Sequence, residues 1–239
     1  VATTSKSNLT KVKNNAKKHR IKLYEIGYVT KGKGVFYKKN GRLDRMKDKG
    51  MFDEFEKLEK SDIIVVSGCF DHIERVFNNI DVNFGYTAPE AFDGLTLNPE
   101  QIIFVNCPGK LNSSSLRKIN SFVNDGGFLF TTDWALKHII EKAFPGFIKY
   151  NHRPTGDEVV RVELLAKDDD FLNSIMGSRD EPLWWLEGSS YPIEIIDKNK
   201  VETLVRSKEI EKKYGESPVF VSFEYGKGKV YHMISHFYL

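Results

Sequence analysis

Five side chains of reactive type fall where a chain of alternating strands and helices would display them: Cys107, Asp133, Glu187, His232 and His236. Asp133 stands in Thr131-Thr132-Asp133-Trp134, directly after the apolar run Phe128–Thr131. An aspartate brought within ~3 Å of a histidine, or one water away, can act as an acid/base pair. Asp133 and His236, with Glu187, are therefore the candidates for acid/base work or metal ligation, and Cys107 is a candidate displaced nucleophile. Asp133 and Thr132 have a second, structural reading, because each can cap the helix that starts near Trp134. His232 and His236 are four residues apart, so within one strand they share a face but lie ~13 Å apart and cannot hold one metal. His232 reads as structural, whereas His236 sits where its strand should end. Glu187 follows Trp184-Trp185-Leu186, and of two adjacent tryptophans one is expected inside and one on a surface or in a cleft.

The elements that must carry these residues are legible from periodicity. Asp62–Ser67, Gln101–Asn106 and Phe128–Thr131 are short continuous apolar runs, as in strands buried on both faces. Between them, Asp71–Ile80 places Ile73, Val76, Phe77 and Ile80 on one helical face, and Ser114–Asp125 does the same with Leu116, Ile119, Phe122 and Val123. Val82–Tyr86 reads as a weak strand and Trp134–Phe144 as a helix closed by Pro145-Gly146. This alternation predicts an α/β fold: a flavodoxin-like open parallel sheet with helices on both faces. The second half changes character. Glu158–Leu165 and Val201–Ser207 read as strands, Phe171–Ile175 as a short helix, and Val219–Tyr225 with Lys229–Ser235 as a hairpin. Those strands extend the sheet in antiparallel fashion. In an open α/β sheet ligands bind beyond the carboxyl ends of the strands. That rule selects Gly68–Asp71, Asn106–Gly109 and Thr131–Trp134, with Asn106, Thr132, Asp133 and His236 as ligand contacts.

Composition bounds the rest. The 239 residues carry a net charge of +3, but the first 40 hold 11 lysines and arginines against the single acid Glu25. The body is acidic and only the N-terminal arm is basic. The organisation expected is a basic flexible arm over 1–20, a hairpin–helix extension over 21–60 and one α/β domain over 61–239. The arm lacks aromatics for stacking, so a solvated linker is the better reading and nucleic acid is not the expected partner. No apolar run approaches the ~18 residues needed to span a bilayer. Two cysteines make neither a disulfide framework nor a zinc site, and read as reduced thiols of an intracellular, cytoplasmic protein. The chain starts at Val1 and stops inside an apolar run, which suggests an excerpt of a longer protein.

Some glycine motifs can be set aside. Gly226-Lys227-Gly228-Lys229 and Gly32-Lys33-Gly34 lie between strands, whereas a phosphate loop needs GxxxxGK[ST] between a strand and a helix. Gly68-Cys69-Phe70-Asp71-His72 is similar to the opening of cytidylyltransferases but lacks the HxGH that handles the phosphate.

The stretch Gln101–Leu136 resembles the class I glutamine-amidotransferase-like superfamily, in its trehalose-utilisation-protein-like and GIFT-type branches. The resemblance is carried by Asn106-Cys107-Pro108-Gly109, by Phe122-Val123-Asn124-Asp125-Gly126-Gly127 and by Phe128-Leu129-Phe130-Thr131-Thr132-Asp133. At the C-terminus it is carried by Tyr225-Gly226-Lys227-Gly228-Lys229-Val230 and Ser235-His236, and it covers roughly 61–239. It implies a nucleophilic cysteine on the turn after the third strand, a histidine near the C-terminus and an acid two residues beyond. Here that turn is Thr131-Thr132-Asp133-Trp134, the histidine matches His236, and Tyr238 stands at the acid position. A glutaminase needs a thiolate, a base to generate it and an amide cradle, and two of these three parts are missing or misplaced. The expectation is a pseudoenzyme-like binding or assembly domain of a larger protein, its partner another protein or other domains of the same chain, with no metal or cofactor. The alternative is a hydrolase with altered chemistry on Asp133 and His236, or on Cys107.

Overall fold

In the computed structural model the described residues are 58–166 and 182–237, Leu172, residues 10, 11, 13, 14, 17 and 18, and residues 36–39 and 42–45. The chain divides into two compact units, Val1–Asp53 and Glu54–Leu239. In the first, Thr10, Lys11, Lys13, Asn14, Lys17 and Lys18 are helical and exposed, within the stretch read as an arm. Strands β1 (Phe36–Lys39) and β2 (Arg42–Arg45) pair antiparallel with Lys39 opposite Arg42, leaving two residues, Asn40 and Gly41, to connect them. The turn expected at Lys31–Gly34 and the helix expected over Phe171–Ile175, Leu172 apart, lie outside the described residues.

The second unit is built on an eight-stranded sheet of order β4 (Gly85–Thr87), β3 (Ile63–Val66), β5 (Ile102–Val105), β6 (Phe128–Thr132), β14 (Gly228–Met233), β13 (Pro218–Tyr225), β12 (Val201–Arg206) and β9 (Glu163–Leu164). Its parallel half consists of β3, β4, β5, β6 and the last strand, β14. Numbered within that half, the order is 2-1-3-4-5, the flavodoxin-like arrangement. Ile64, Val65 and Val66 are fully buried, as a strand covered on both faces requires. Helices α1 (Ile73–Asn79) and α2 (Ser113–Asn124) follow β3 and β5. The Asn112 side chain caps α2 by accepting from the Ser115 amide at 2.8 Å, and Leu116, Ile119, Phe122 and Val123 face the core. Ile80, expected on the inner face of α1, is 62% exposed because the helix ends before it. A π-helical turn, Leu136–Ile140, leads into α3 (Glu141–Ala143) where one continuous helix was expected.

The other half is antiparallel. β12 (Val201–Arg206), β13 (Pro218–Tyr225) and β14 run in succession, with Tyr225 opposite Gly228 at the hairpin turn. The stretch Glu158–Leu165, expected as one strand, splits into β8 (Glu158–Arg161) and β9 (Glu163–Leu164). β9 joins the edge of the large sheet, while β8 pairs with β10 (Leu183–Leu186) in a separate ribbon. Val162 turns into the core between them, so the apolar alternation continues although the pairing partner changes. Elements not anticipated include β10, β7 (Ile148–Tyr150) with its partner β11 (Ile193–Ile195), α4 (Lys208–Tyr214) and a short helical turn at Phe92–Gly94. Among the described residues no helix is long and apolar enough to cross a membrane.

Candidate functional site

Four neighbouring parallel strands, β3, β5, β6 and β14, deliver their carboxyl ends to one edge of the sheet. Asp71, Cys107, Asp133 and His236 follow those ends in turn. The geometry is fixed by backbone bonds. The Asp133 amide donates to the Met233 carbonyl at 2.9 Å, and the Leu136 amide to the Asp133 carbonyl at 2.9 Å. Asp133 itself occupies the left-handed region at φ 43°, a conformation that costs an ordinary L-residue ~1–2 kcal/mol and that Asp tolerates better than most. This sharp strand-to-helix corner thrusts its side chain back over the sheet end.

Asp133 does not cap the following helix, contrary to the structural expectation. Its Oδ1 accepts from the Tyr191 amide at 2.8 Å and its Oδ2 from Ser190 Oγ at 2.9 Å. Asp133 Oδ2 also lies 3.4 Å from His236 Nε2, and His236 Nδ1 lies 2.5 Å from Glu187 Oε2. Glu187, His236 and Asp133 therefore stand in line. The segment bearing Glu187 and Ser190 is pinned by Thr155, whose Oγ1 donates to the Glu187 carbonyl at 2.7 Å and accepts from the Ser190 amide at 3.1 Å. Trp134 covers this segment, stacking on Tyr191 at 5.6 Å and donating from Nε1 to the Ser189 carbonyl at 2.8 Å. Tyr238, at the acid position that the resemblance implies, lies outside the described residues.

Asp71 is a second buried carboxylate at this edge, at the end of the selected loop Gly68–Asp71 but outside the set of expected ligand contacts. Its Oδ2 accepts from Thr132 Oγ1 at 2.6 Å, and its Oδ1 from the Phe237 amide at 3.0 Å and the His72 amide at 2.8 Å. Thr132 thus serves Asp71, and Asp71, accepting from the Phe237 amide, ties the C-terminal segment to the loop after β3. The available signal was its position: Asp71 closes the first strand-end loop. Ser190 had no such signal, because it reaches Asp133 only through the fold. Asn106 is buried but its Nδ2 donates to Glu74 Oε2 at 2.9 Å, away from the Asp133–His236 pair. Neither adjacent tryptophan is fully buried: Trp184 is half-buried and bonds the Ile234 carbonyl, and Trp185 is 43% exposed.

Burial sets the electrostatics. It pushes the Asp133 carboxyl up to about 6, against the opposing pull of His236 and of the Tyr191 and Ser190 donors. Burial likewise raises Asp71. Cys107 is fully buried, and burial followed by the Asp133 charge drives its thiol far above the usual range. A protonated, enclosed thiol is a poor nucleophile.

His232 is structural, as expected. Its Nδ1 lies 2.8 Å from Thr131 Oγ1, and Nε2 has no partner among the described residues. Burial lowers it to about 3. The native state then binds fewer protons than the unfolded state, whose histidine titrates near 6.5. The stabilisation is complete above ~6.5 and is lost as pH falls towards 3. In urea denaturation, wild type should lose about 2 kcal/mol more than His232→Gln between pH 7 and pH 5. Equal losses in the two chains would show that His232 does not contribute.

No family model and no curated protein matches this chain. Among solved structures, it is similar to a cytoplasmic protein of Salmonella typhimurium LT2, with TM-score 0.50 and 14% identity, over 73% of this chain and 88% of that one. It is also similar to a β-galactosidase from Bacillus circulans sp. alkalophilus, with TM-score 0.48 and 13% identity over 73% of this chain. An exo-β-1,4-mannosidase from Opitutaceae bacterium strain TAV5 gives TM-score 0.48 and 10% identity over 76%. The chain spans only 28% and 32% of the length of those two glycosidases. At these identities the likeness is one of α/β fold.

Proposed function

We propose that Glu54–Leu239 is an amidotransferase-like domain that binds or assembles rather than hydrolysing glutamine, within a larger protein of the cell interior. The observation that carries this reading is the occupant of the nucleophile corner. It is a carboxylate, 2% exposed, with both oxygens already accepting from Tyr191 and Ser190. The thiol that shares this corner, Cys107, is enclosed and held protonated. Neither group is poised to attack a substrate carbonyl. An exposed apolar patch on the β8–β10 ribbon supports a protein partner, with Val159, Leu183 and Trp185 56%, 67% and 43% exposed. Trp185 pairs with Val159 and Leu183 with Arg161, so the three apolar side chains share one face.

A hydrolase remains as a second reading because of one specific observation, the line Glu187–His236–Asp133. It has the order of orienting acid, base and carboxylate nucleophile, on a left-handed corner after a strand. The two readings separate in one assay. Ammonia release from glutamine and hydrolysis of p-nitrophenyl acetate are measured for wild type and Asp133→Asn. The binding reading expects background rates in both chains. Turnover that falls at least ~100-fold in Asp133→Asn, with the near-ultraviolet circular dichroism unchanged, would overturn it in favour of the hydrolase.

A further inference from the structure

We propose that the corner between Cys107, Asp133 and His236 is a site for a divalent transition-metal ion, best suited to zinc. The inference rests on reading this corner as a binding site without thiol chemistry, and names the ligand class. One ligand atom from each of the three residues falls within 4.8 Å of the other two. The separation of His236 Nε2 from Asp133 Oδ2 is 3.4 Å. Bonds of ~2.0–2.3 Å to a tetrahedral zinc put neighbouring donors ~3.3–3.6 Å apart. The nitrogen–oxygen pair thus already has that spacing, and the sulfur needs up to roughly 1.2–1.5 Å of movement. Sulfur, imidazole and carboxylate together form a donor set suited to zinc rather than to magnesium or calcium.

The surroundings add two arguments independent of that spacing. Glu187 engages Nδ1 of His236. With Nδ1 turned to Glu187, the ring directs Nε2 at the Asp133 carboxylate 3.4 Å away, so two atoms that could share one cation already face each other. A carboxylate behind a ligating imidazole is also how zinc histidines are oriented. The second argument is charge. Asp71, Asp133 and Glu187 gather at this sheet edge, and among the described residues the one ion-pair partner of Asp133 and of Glu187 is His236. A divalent ion would offset this excess and displace the thiol proton of Cys107 to solvent on binding. Three protein ligands leave a fourth position for water or a partner's side chain.

The test uses the chain without an affinity tag, stripped with chelator and then dialysed against zinc or cobalt(II). Elemental analysis should give one ion per chain. The cobalt form should show tetrahedral visible bands and a thiolate-to-cobalt charge-transfer band that Cys107→Ser removes. Glu187→Gln, which touches no ion, should weaken zinc binding by ~10–100-fold in competition with a chromogenic chelator. No ion above background would overturn the proposal, as would uptake unaltered in both variants. If that failure comes with background p-nitrophenyl acetate hydrolysis, it removes the cation alone. Asp133-dependent hydrolysis that survives chelation removes the binding reading beneath it.

Discussion

Asp133→Asn is expected to stabilise the metal-free domain at pH 7 by about 3 kcal/mol. The carboxyl is pushed up from an ordinary 3.8 to about 6, chiefly by burial. Keeping it ionised at neutral pH therefore costs about 3 kcal/mol relative to the unfolded chain. Asparagine removes that charge and keeps the shape. Its Oδ1 can accept from the Tyr191 amide, while its Nδ2 can donate to His236 Nε2 and Ser190 can reorient its hydroxyl. The sign of the pH dependence follows from the raised value. The neutral Asp133 form stabilises fully below ~3.8, and that contribution is lost as pH rises through about 6. The advantage of the variant should thus be near zero at pH 3.5 and fully developed by pH 7. Asp133→Ala should do the opposite and lose about 2–4 kcal/mol. It leaves the Ser190 and Tyr191 donors without their acceptor and puts alanine at φ 43°. Urea denaturation of the three chains in chelator, at both pH values, measures this. An asparagine variant no more stable than wild type at pH 7 would contradict the electrostatic account. In zinc the ranking should invert, because asparagine replaces a charged ligand.

A carboxylate whose charge is disfavoured by burial, held on a left-handed corner beside a histidine, fits the binding reading proposed above. The sequence reached much of this arrangement. Parallel strands with both faces buried are continuous apolar runs, so β3, β5 and β6 were readable, and the rule of ligands at strand ends then selected Asp133, Thr132, Asn106 and His236. What the sequence could not supply was partner identity. Glu187, on the loop that follows β10, was already a candidate by its type and its place after Trp184-Trp185-Leu186. Ser190 reaches the site from the same loop, 57 residues from Asp133, and nothing local marks that approach. The same holds for Val162, where unbroken alternation conceals a change of sheet. The capping assignment for Asp133 failed for a related reason. A local amide competes with the Tyr191 and Ser190 donors, and the tertiary partners win. Asn106 illustrates the limit of the strand-end rule, since a buried amide is satisfied by whichever acceptor packs against it, here Glu74.

Gly68→Ala should be among the most damaging single methyls in the domain. A Cβ at Gly68 would sit 2.2 Å from the Cys107 carbonyl oxygen and 2.7 Å from Asn106 Cβ. Backbone cannot swing aside as a flexible side chain can. That carbonyl also accepts from the Cys69 amide at 3.0 Å and the Phe70 amide at 3.3 Å, so the loops after β3 and β5 are sealed main chain to main chain. Relieving the contact means parting them by about 1 Å and weakening both hydrogen bonds. It would also separate Asp71 on one loop from Cys107 on the other. The expected cost is at least about 4 kcal/mol, in the range reserved for broken packing and lost buried bonds. Gly146→Ala is the control. Gly146 has φ 92° but nothing within 4 Å of an added methyl, so it should lose only about 1–2 kcal/mol through backbone strain. A second readout works even when Gly68→Ala is too unstable for a full unfolding curve. Wild type has Cys69 exposed and Cys107 buried, so one thiol per native chain should react quickly with Ellman's reagent. In Gly68→Ala the Cys107 thiol should become reactive at a low urea concentration at which Gly146→Ala still protects it. Protection of Cys107 equal to wild type, with stability within 1 kcal/mol of it, would show that the sheet edge yields more easily than its main-chain contacts imply.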